Sequence, residues 1–356
     1  MARALLLAGL ALCIGLSAIS PSDSRPSNSG VAPFNPTLVR ETVETLGITL
    51  NREYFDAVVA AKVSEALQKH LAEGRYQKVS TFEELAKVLT DDLYTMTRDK
   101  HLVVSPIVEA PSDPASSVAV GGTSREVVAR RSNFGIQRIE VLPGNVGYLN
   151  LTAFYRPGEA REAIAAAMAS LRHTDALILD LRENGGGSSG TLALMASYFF
   201  ETQGLPLFEV VPRPPAEVTH FATEAKPLLD RSQQRPTYIL TSANTWSAGE
   251  GFAFILQERH RAEVVGQTTA GAGNQARPCL LNARFEVTIP NGSVRSAVRH
   301  QSWEGTGVVP DISIDPSDAL RVAHARALRG LMRAVPSGPW RDALGGYLAS
   351  LEAKGK

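Results

Sequence analysis

The sequence is poor in cysteine, in net charge and in long apolar runs, and each shortage removes a class of protein. Only two of its 356 residues are cysteines. Cys13 lies in the N-terminal segment, so a processed chain keeps Cys279 alone and no intrachain disulfide framework is available. That thiol reads as a small buried apolar residue. Basic and acidic residues balance at 36 each, a formal net charge of +0, which leaves no electrostatic footprint for nucleic acid or another polyanion. There is no His-Glu-x-x-His helix and no cysteine pair, so no metal site is expected. The one sustained apolar run, residues 4–18 behind Arg3, is too short to span a bilayer comfortably and resembles a secretory signal peptide.

What remains has the composition of an ordinary globular chain, 44% hydrophobic and 20% charged, long enough for one large core and a smaller satellite. Residues 1–22 are expected to be the signal peptide and 23–36, rich in Ser, Pro and Asn, a flexible leader. Export to a periplasm or to the outside follows, with no stable membrane span after cleavage. Lipid anchoring at Cys13 is the lesser reading, because Leu12 is bulky where a lipoprotein signal wants a small residue. Residues 37–105 read as an N-terminal helical domain: Phe82, Leu85, Val88, Leu89, Leu93 and Met96 share one face, with Ser80 and Glu83 spaced as a capping box. Residues 106–130 lack a clear period and read as a linker or long loop.

From 131 to 316 strands and helices alternate, as in an α/β layered core, and 317–356 reads as two C-terminal helices. The apolar stretch 176–181 has the composition of a buried strand and runs into Gly185-Gly186-Gly187. Three glycines there free the backbone to approach a ligand and to aim N–H groups at developing negative charge. A plain flexible turn is the competing reading; a phosphate cradle lacks its Lys-Ser/Thr tail. A second strand, 237–241, leads into Thr245-Trp246-Ser247-Ala248-Gly249-Glu250, an exposed serine at a strand-to-helix turn flanked by small residues. That is where a nucleophilic serine belongs, provided a base takes its proton and backbone amides receive the oxyanion. Residues 284–289 and 294–299 read as a hairpin, and Asp311 after Pro310 as a turn residue.

The ordered set 180–187, 245–250, 266–271 (Gly-Gln-Thr-Thr-Ala-Gly) and 303–312 (Trp-Glu-Gly-Thr-Gly-Val-Val-Pro-Asp-Ile) resembles the tail-specific, or C-terminal processing, serine peptidase family. It is closest to the branch of tricorn protease and the interphotoreceptor retinoid-binding protein modules. The resemblance covers residues 37–316. It implies a ClpP/crotonase-like core, cofactor-free hydrolysis of a peptide or unfolded protein substrate, Ser247 as nucleophile, and an oxyanion hole from Gly186 or Gly187 with Ala248.

The base separates the branches. Processing proteases carry a lysine in the glycine-rich segment after the nucleophile's helix, and Ala272 stands there. The tricorn-like branch uses a histidine at the end of the N-terminal helical region, where this chain has Asp99-Lys100-His101, and a glutamate matched by Glu304. The resemblance therefore implies a Ser/His/Glu mechanism with His101 as base. Lys100 stands where tricorn has a serine linking histidine to glutamate, so Asp99, or Glu304 directly or through water, is left to orient His101; Lys100 itself reads as a solvated charge. The other six histidines lack partner spacing and read mostly as surface residues. A binding module of the same fold, holding an apolar or peptide ligand, is the alternative to an enzyme. Retention of Ser247, His101 and Glu304 together favours the enzyme. An acyl-CoA enzyme of the crotonase type would not need Ser247. A homo-oligomer is left open.

Overall fold

A computed structural model describes residues 34–107, 125–225 and 235–353. The expected signal peptide and most of the leader lie outside them. In chain order the first elements are α1 (Pro36–Glu53), α2 (Ala57–Ala72), α3 (Phe82–Thr97), β1 (Val103–Pro106), α4 (Arg125–Arg131), β2 (Ile136–Leu142) and β3 (Val146–Leu151). Next come α5 (Pro157–Ser170), β4 (Ala176–Asp180), α6 (Ser189–Ala196), β5 (Pro206–Pro212), β6 (Thr219–Ala222) and β7 (Thr237–Thr241). The last are α7 (Ala248–Glu258), β8 (Glu263–Gly266), β9 (Gln275–Leu280), β10 (Phe285–Ser296), β11 (Ile312–Ser313), α8 (Pro316–Ala334) and α9 (Pro339–Ala353). The mixed α/β architecture expected from the alternation is present. No described helix is long and apolar enough to cross a membrane.

Two compact units divide the chain, and neither is a continuous stretch of it. The first holds the described residues up to 107 together with Val210–Val218 and Asn274–Ser293. Its core joins Leu46, Leu50, Leu67, Leu85, Leu89 and Leu93 of the three helices to Val104, Phe285, Val287 and Ile289 of a sheet. In that sheet β10 has β1 antiparallel to it, Val104 facing Val287, and β9 antiparallel to it, with Cys279 also facing Val287. Leu85, Leu89 and Leu93 of the expected α3 face are fully buried, while Phe82, Val88 and Met96 are partly so. The cap is one residue later than the spacing predicted. Thr81 is the N-cap, its Oγ1 accepting from Glu84 N at 3.1 Å, and the Glu84 carboxylate accepts from Ser80 N at 2.9 Å. Cys279 is half-buried against this core rather than enclosed by it.

Three further expectations change. Residues 125–130 of the expected linker belong to helix α4, which ends at Arg131; the Pro-, Ser- and Gly-rich sequence before them masks a short run of helix formers. The expected hairpin is one strand, β10, whose Pro-Asn-Gly triplet is absorbed by a register shift between Pro290 and Gly292, a bulge where the composition reads as a turn. Asp311 closes no turn; its Oδ2 accepts from Val264 N at 2.7 Å.

The second unit comprises the described residues from 125 to Glu209, within Thr219–Gly273, and from Val294 onward. Its six-stranded sheet has the order β11-β8-β7-β4-β3-β2, with every neighbour parallel except the β2–β3 pair. Strand residues alternate between faces. Tyr148, Ile178, Leu240 and Val265 pack on Ala319, Ala323, Ala327 and Leu328 of α8. Central strands β4 and β7 are buried at every position, which is why they read as uninterrupted apolar runs. Since β4 and β7 are parallel neighbours, with Asp180 opposite Leu240, the segments leaving their carboxyl ends emerge side by side, where open α/β sheets hold their ligands. Those segments are the glycine run and the Ser247 turn.

Candidate active site

Ser247 is the N-cap of α7 and has φ 52° and ψ −117°. A residue with a Cβ pays about 1–3 kcal/mol to hold so sparsely populated a conformation, which survives only where the surroundings over-determine it. Here they do. Ser247 N donates to Glu250 Oε2 at 2.8 Å, Trp246 N to Asn184 O at 2.9 Å and Gly249 N to Trp246 O at 2.9 Å. Thr245, fully buried, donates through Oγ1 to Leu181 O at 2.8 Å. The serine is left half-buried at the head of the helix, where the α7 dipole favours negative charge.

The glycine loop lies directly against this turn. A Cβ on Gly186, whose φ is +87°, would stand 2.7 Å from Ser247 Cβ and 3.2 Å from Ala248 N. Only glycine permits that approach. Gly186 N, however, already donates to Asn184 Oδ1 at 2.9 Å, so of the expected oxyanion donors Gly186 contributes closeness rather than its amide. Gly187 differs. Gly186 O and Ser188 N both bond Phe154, at 2.8 and 2.7 Å, which turns the Gly187 amide away from that strand-like bridge. Ala248, the first helical residue, has an N–H with no intrahelical acceptor. Asn184, fully buried, ties the two segments together: Nδ2 donates to Leu151 O at 2.8 Å, Oδ1 serves Gly186, and its carbonyl serves Trp246.

Below the loop, Asp180 accepts from Tyr148 Oη at 2.7 Å and from Arg182 Nη2 at 2.6 Å. Burial pushes its carboxyl up, but Arg182 and Tyr148 hold it below the usual carboxylate range. The pair anchors the loop's base.

Glu250 carries a role that the motif reading overlooked. Its carboxylate, fully buried, accepts from Ser247 N, Ala272 N, Gly271 N and Thr269 Oγ1 at 2.8, 2.9, 2.6 and 2.6 Å. Burial lifts its pKa above the ordinary glutamate value although the four donors pull it back. It locks the nucleophile's turn to the 269–272 loop. The signal was present in the sequence: serine followed by glutamate three residues on is the capping-box spacing.

Ala272, where processing proteases carry lysine, is fully buried and its carbonyl accepts from Trp303 Nε1 at 3.1 Å. Among the described residues of the unit that holds Ser247 there is no lysine at all. Glu304 is in this unit too, its Oε2 accepting from Gly273 N at 2.5 Å.

His101, Asp99 and Lys100 belong to the first unit. Helix α3 ends at Arg98, whose left-handed φ of 61° reverses the chain. Asp99, 3% exposed, then folds back on its own loop, Oδ1 accepting from His101 N at 2.9 Å and Oδ2 from Asn274 Nδ2 at 2.8 Å. His101 is 7% exposed, with Nδ1 3.6 Å from Asp99 Oδ1. Burial raises the Asp99 carboxyl, but His101 and Asn274 bring it below its usual range. Lys100 is half-buried. The expectation that the remaining histidines lie on the surface fails for His324, 5% exposed, whose Nε2 lies 2.7 Å from Pro143 O. It fails in part for His70, whose Nδ1 is 3.2 Å from Asp92 Oδ2.

Comparison with known proteins identifies the family. Residues 145–314 match peptidase family S41, and residues 36–132 match the N-terminal domain of peptidase S41 in eukaryotic IRBP. The chain is similar to the chloroplastic carboxyl-terminal-processing peptidase 2 of Arabidopsis thaliana, 26% identical over 224 residues. That alignment covers 58% of this chain and 41% of the relative, so the chain spans about two fifths of that protein. Among solved structures, a lipoprotein from Streptococcus agalactiae superposes with a TM-score of 0.51 at 14% identity, covering 85% of this chain and 99% of the other. Mature CPAF superposes with a TM-score of 0.53 at 13% identity, covering 80% and 94%. These two establish a shared fold.

Proposed function

The chain belongs to peptidase family S41, and from that membership we propose that it hydrolyses peptide bonds in unfolded or unstructured protein with Ser247 as nucleophile and His101 as base. The observation that carries the reading is the strained Ser247 turn held against the glycine loop. Strain of that kind at a half-buried hydroxyl, set at the head of α7 against the glycine loop, supports a functional use of the serine.

In the proposed reaction Ser247 Oγ attacks the scissile carbonyl as His101 takes its proton. The amides of Gly187 and Ala248 receive the oxyanion. His101 then gives the proton to the leaving amine, and water, activated the same way, releases the acyl group from Ser247. A Ser/Lys pair is disfavoured by Ala272 and by the absence of lysine among the described residues of this unit. Glu304, matched to the family motif, and Asp99 are the two carboxylates available to support the imidazole. We further propose export, on the strength of the apolar N-terminal run; the mature chain of an expressing cell should then begin near residues 21–25.

The test is covalent labelling by a serine-directed fluorophosphonate, mapped to Ser247. Ser247→Ala should abolish labelling and peptide hydrolysis while leaving the unfolding transition in place. Hydrolysis surviving in that variant would overturn the assignment, and an unlabelled but folded parent would favour the ligand-holding alternative.

A further inference from the structure

Strand β2 is one edge of the six-stranded sheet, and among the described residues no strand pairs with its outer side. The opposite edge, β11, has only two residues, whereas β2 has seven, Ile-Gln-Arg-Ile-Glu-Val-Leu. An open edge of that length presents a row of backbone N–H and C=O groups to any chain that can lie beside it, and proteins ordinarily blunt it with lysine, proline or a bulge. β2 contains neither lysine nor proline, and its register shift falls at one end, between Ile136 and Arg138. On one face Ile139 and Val141 are 40% and 53% exposed. Arg138 and Glu140 alternate onto the other face, where they form an ion pair with each other and the Arg138 guanidinium lies 5.4 Å from the centre of the Tyr148 ring.

We propose that two copies of this chain associate through β2, the two strands running antiparallel about a twofold axis at Ile139. A twofold contact uses the same patch on both sides, so the sequence of β2 fixes which residues meet. With Ile139 opposite its own copy, Arg138 stands opposite Glu140 of the second copy, Glu140 opposite Arg138, and Val141 opposite Gln137. The two intrachain ion pairs then close into a ring of four alternating charges, and opposite charges directly across antiparallel strands stabilise the pairing. Moving the axis to Arg138 or to Glu140 sets like charges directly opposite one another, which is destabilising. Charge thus selects the register, and it selects a second copy over an unrelated peptide, because one strand sequence satisfies both sides. On the other face the two Ile139 side chains meet with Cβ atoms about 4.5–5.5 Å apart and cover one another and the neighbouring Val141, taking that apolar surface out of water. One strand edge is small beside the about 1,600 Å² of a standard interface, so the association is concentration-dependent. It involves only the unit that contains β2 and does not rest on the peptidase reading.

Sedimentation velocity of the full chain across a wide dilution series should show monomer and dimer in exchange. In Glu140→Arg, which sets arginine opposite arginine, the dimer dissociation constant should rise by about 10-fold or more. Combining Arg138→Glu with Glu140→Arg restores opposite charges in the same register and should return the constant to within about 3-fold of parent. That rescue also shows that the single reversal did not act by unfolding the edge. Ile139→Cys brings two thiols close to disulfide reach, and mild oxidation should link the two copies through the introduced thiols. A parent that stays monomeric at every concentration, a dimer indifferent to Glu140→Arg, or a double exchange that stays dissociated overturns the proposal. So does linkage of the introduced thiol to Cys279 in place of its own copy. Hydrogen exchange of the β2 amides should slow as the chain itself is concentrated; slowing that appears only on adding an unstructured peptide would assign the edge to substrate and overturn the proposal as well.

Discussion

Replacing Glu250 separates two levels of damage to the nucleophile turn. Glu250→Ala removes the acceptor of three buried amides, those of Ser247, Gly271 and Ala272, and of the Thr269 hydroxyl. The hydroxyl can turn elsewhere; the amides cannot. At about 1–3 kcal/mol per orphaned amide the loss is about 3–9 kcal/mol, against a typical whole-domain stability of about 5–15 kcal/mol. Glu250→Gln is milder because the new amide can choose its orientation. With its nitrogen in place of Oε2 it would face two donors, Ser247 N and Ala272 N. With its nitrogen in place of Oε1 it faces one amide, Gly271 N, and a hydroxyl free to rotate. The second orientation costs about 1–3 kcal/mol and preserves the bond that holds Ser247. Urea unfolding followed by tryptophan fluorescence should therefore rank parent, Gln and Ala in that order, with fluorophosphonate labelling within about 10-fold of parent for Gln and nearly lost for Ala. Equal destabilisation by the two substitutions, or an Ala variant within about 1 kcal/mol of parent, would refute the reasoning.

Gly186→Ala should cost about 1–2 kcal/mol for the left-handed backbone alone, and its methyl would displace Ser247 Cβ from 2.7 Å. Labelling should drop about 100-fold or more while the unfolding midpoint shifts modestly; a normally labelled variant would show that the loop does not brace the nucleophile. Asp92, Asp99 and Asp180 are each raised by burial but lowered further by their partners, chiefly Arg75, His101 and Arg182 respectively. Stability from a depressed carboxyl is present above its unfolded value, about 3.9, and is lost as pH falls through the folded value. The urea midpoint should hold steady between pH 7 and 5, then drop below about pH 4, and Asp180→Asn should flatten that drop; an acid branch unchanged in this variant would remove Asp180 from the account.

The sequence showed most about segments whose local chemistry and tertiary surroundings agree. The apolar runs of β4 and β7 could only be buried strands, and the small residues around Ser247 pointed to a turn because a close approach does occur there. Legibility failed where distant partners override local cues. Pro290-Asn291-Gly292 has the composition of a hairpin turn, yet pairing with β9 on both sides of the triplet keeps the chain extended and confines the irregularity to a bulge. The amide of Gly186 looked available for an oxyanion until Asn184, two residues earlier, proved to hold it. Asn274 gave no hint of its bond to Asp99, since 175 residues separate the two. Periodicity records which face of an element is covered, and nothing in it records which polar atom a buried carboxylate will choose.

The interrupted make-up of the helical unit bears on the order in which the protein is made. Val104 finds its sheet partner at Val287, and the core beneath α1 to α3 is closed by Phe285, Val287 and Ile289. At about 5–20 residues per second of synthesis, roughly ten to forty seconds pass between the emergence of the helices and that of the strand that seals them. During this interval the apolar faces of three helices wait without a floor. The unit that is first to be translated is therefore among the last to be finished, and the peptidase core between its pieces is synthesised while the helices stand exposed. A chain truncated before Phe285 would therefore lack the strand residues that close the core over Leu85, Leu89 and Leu93.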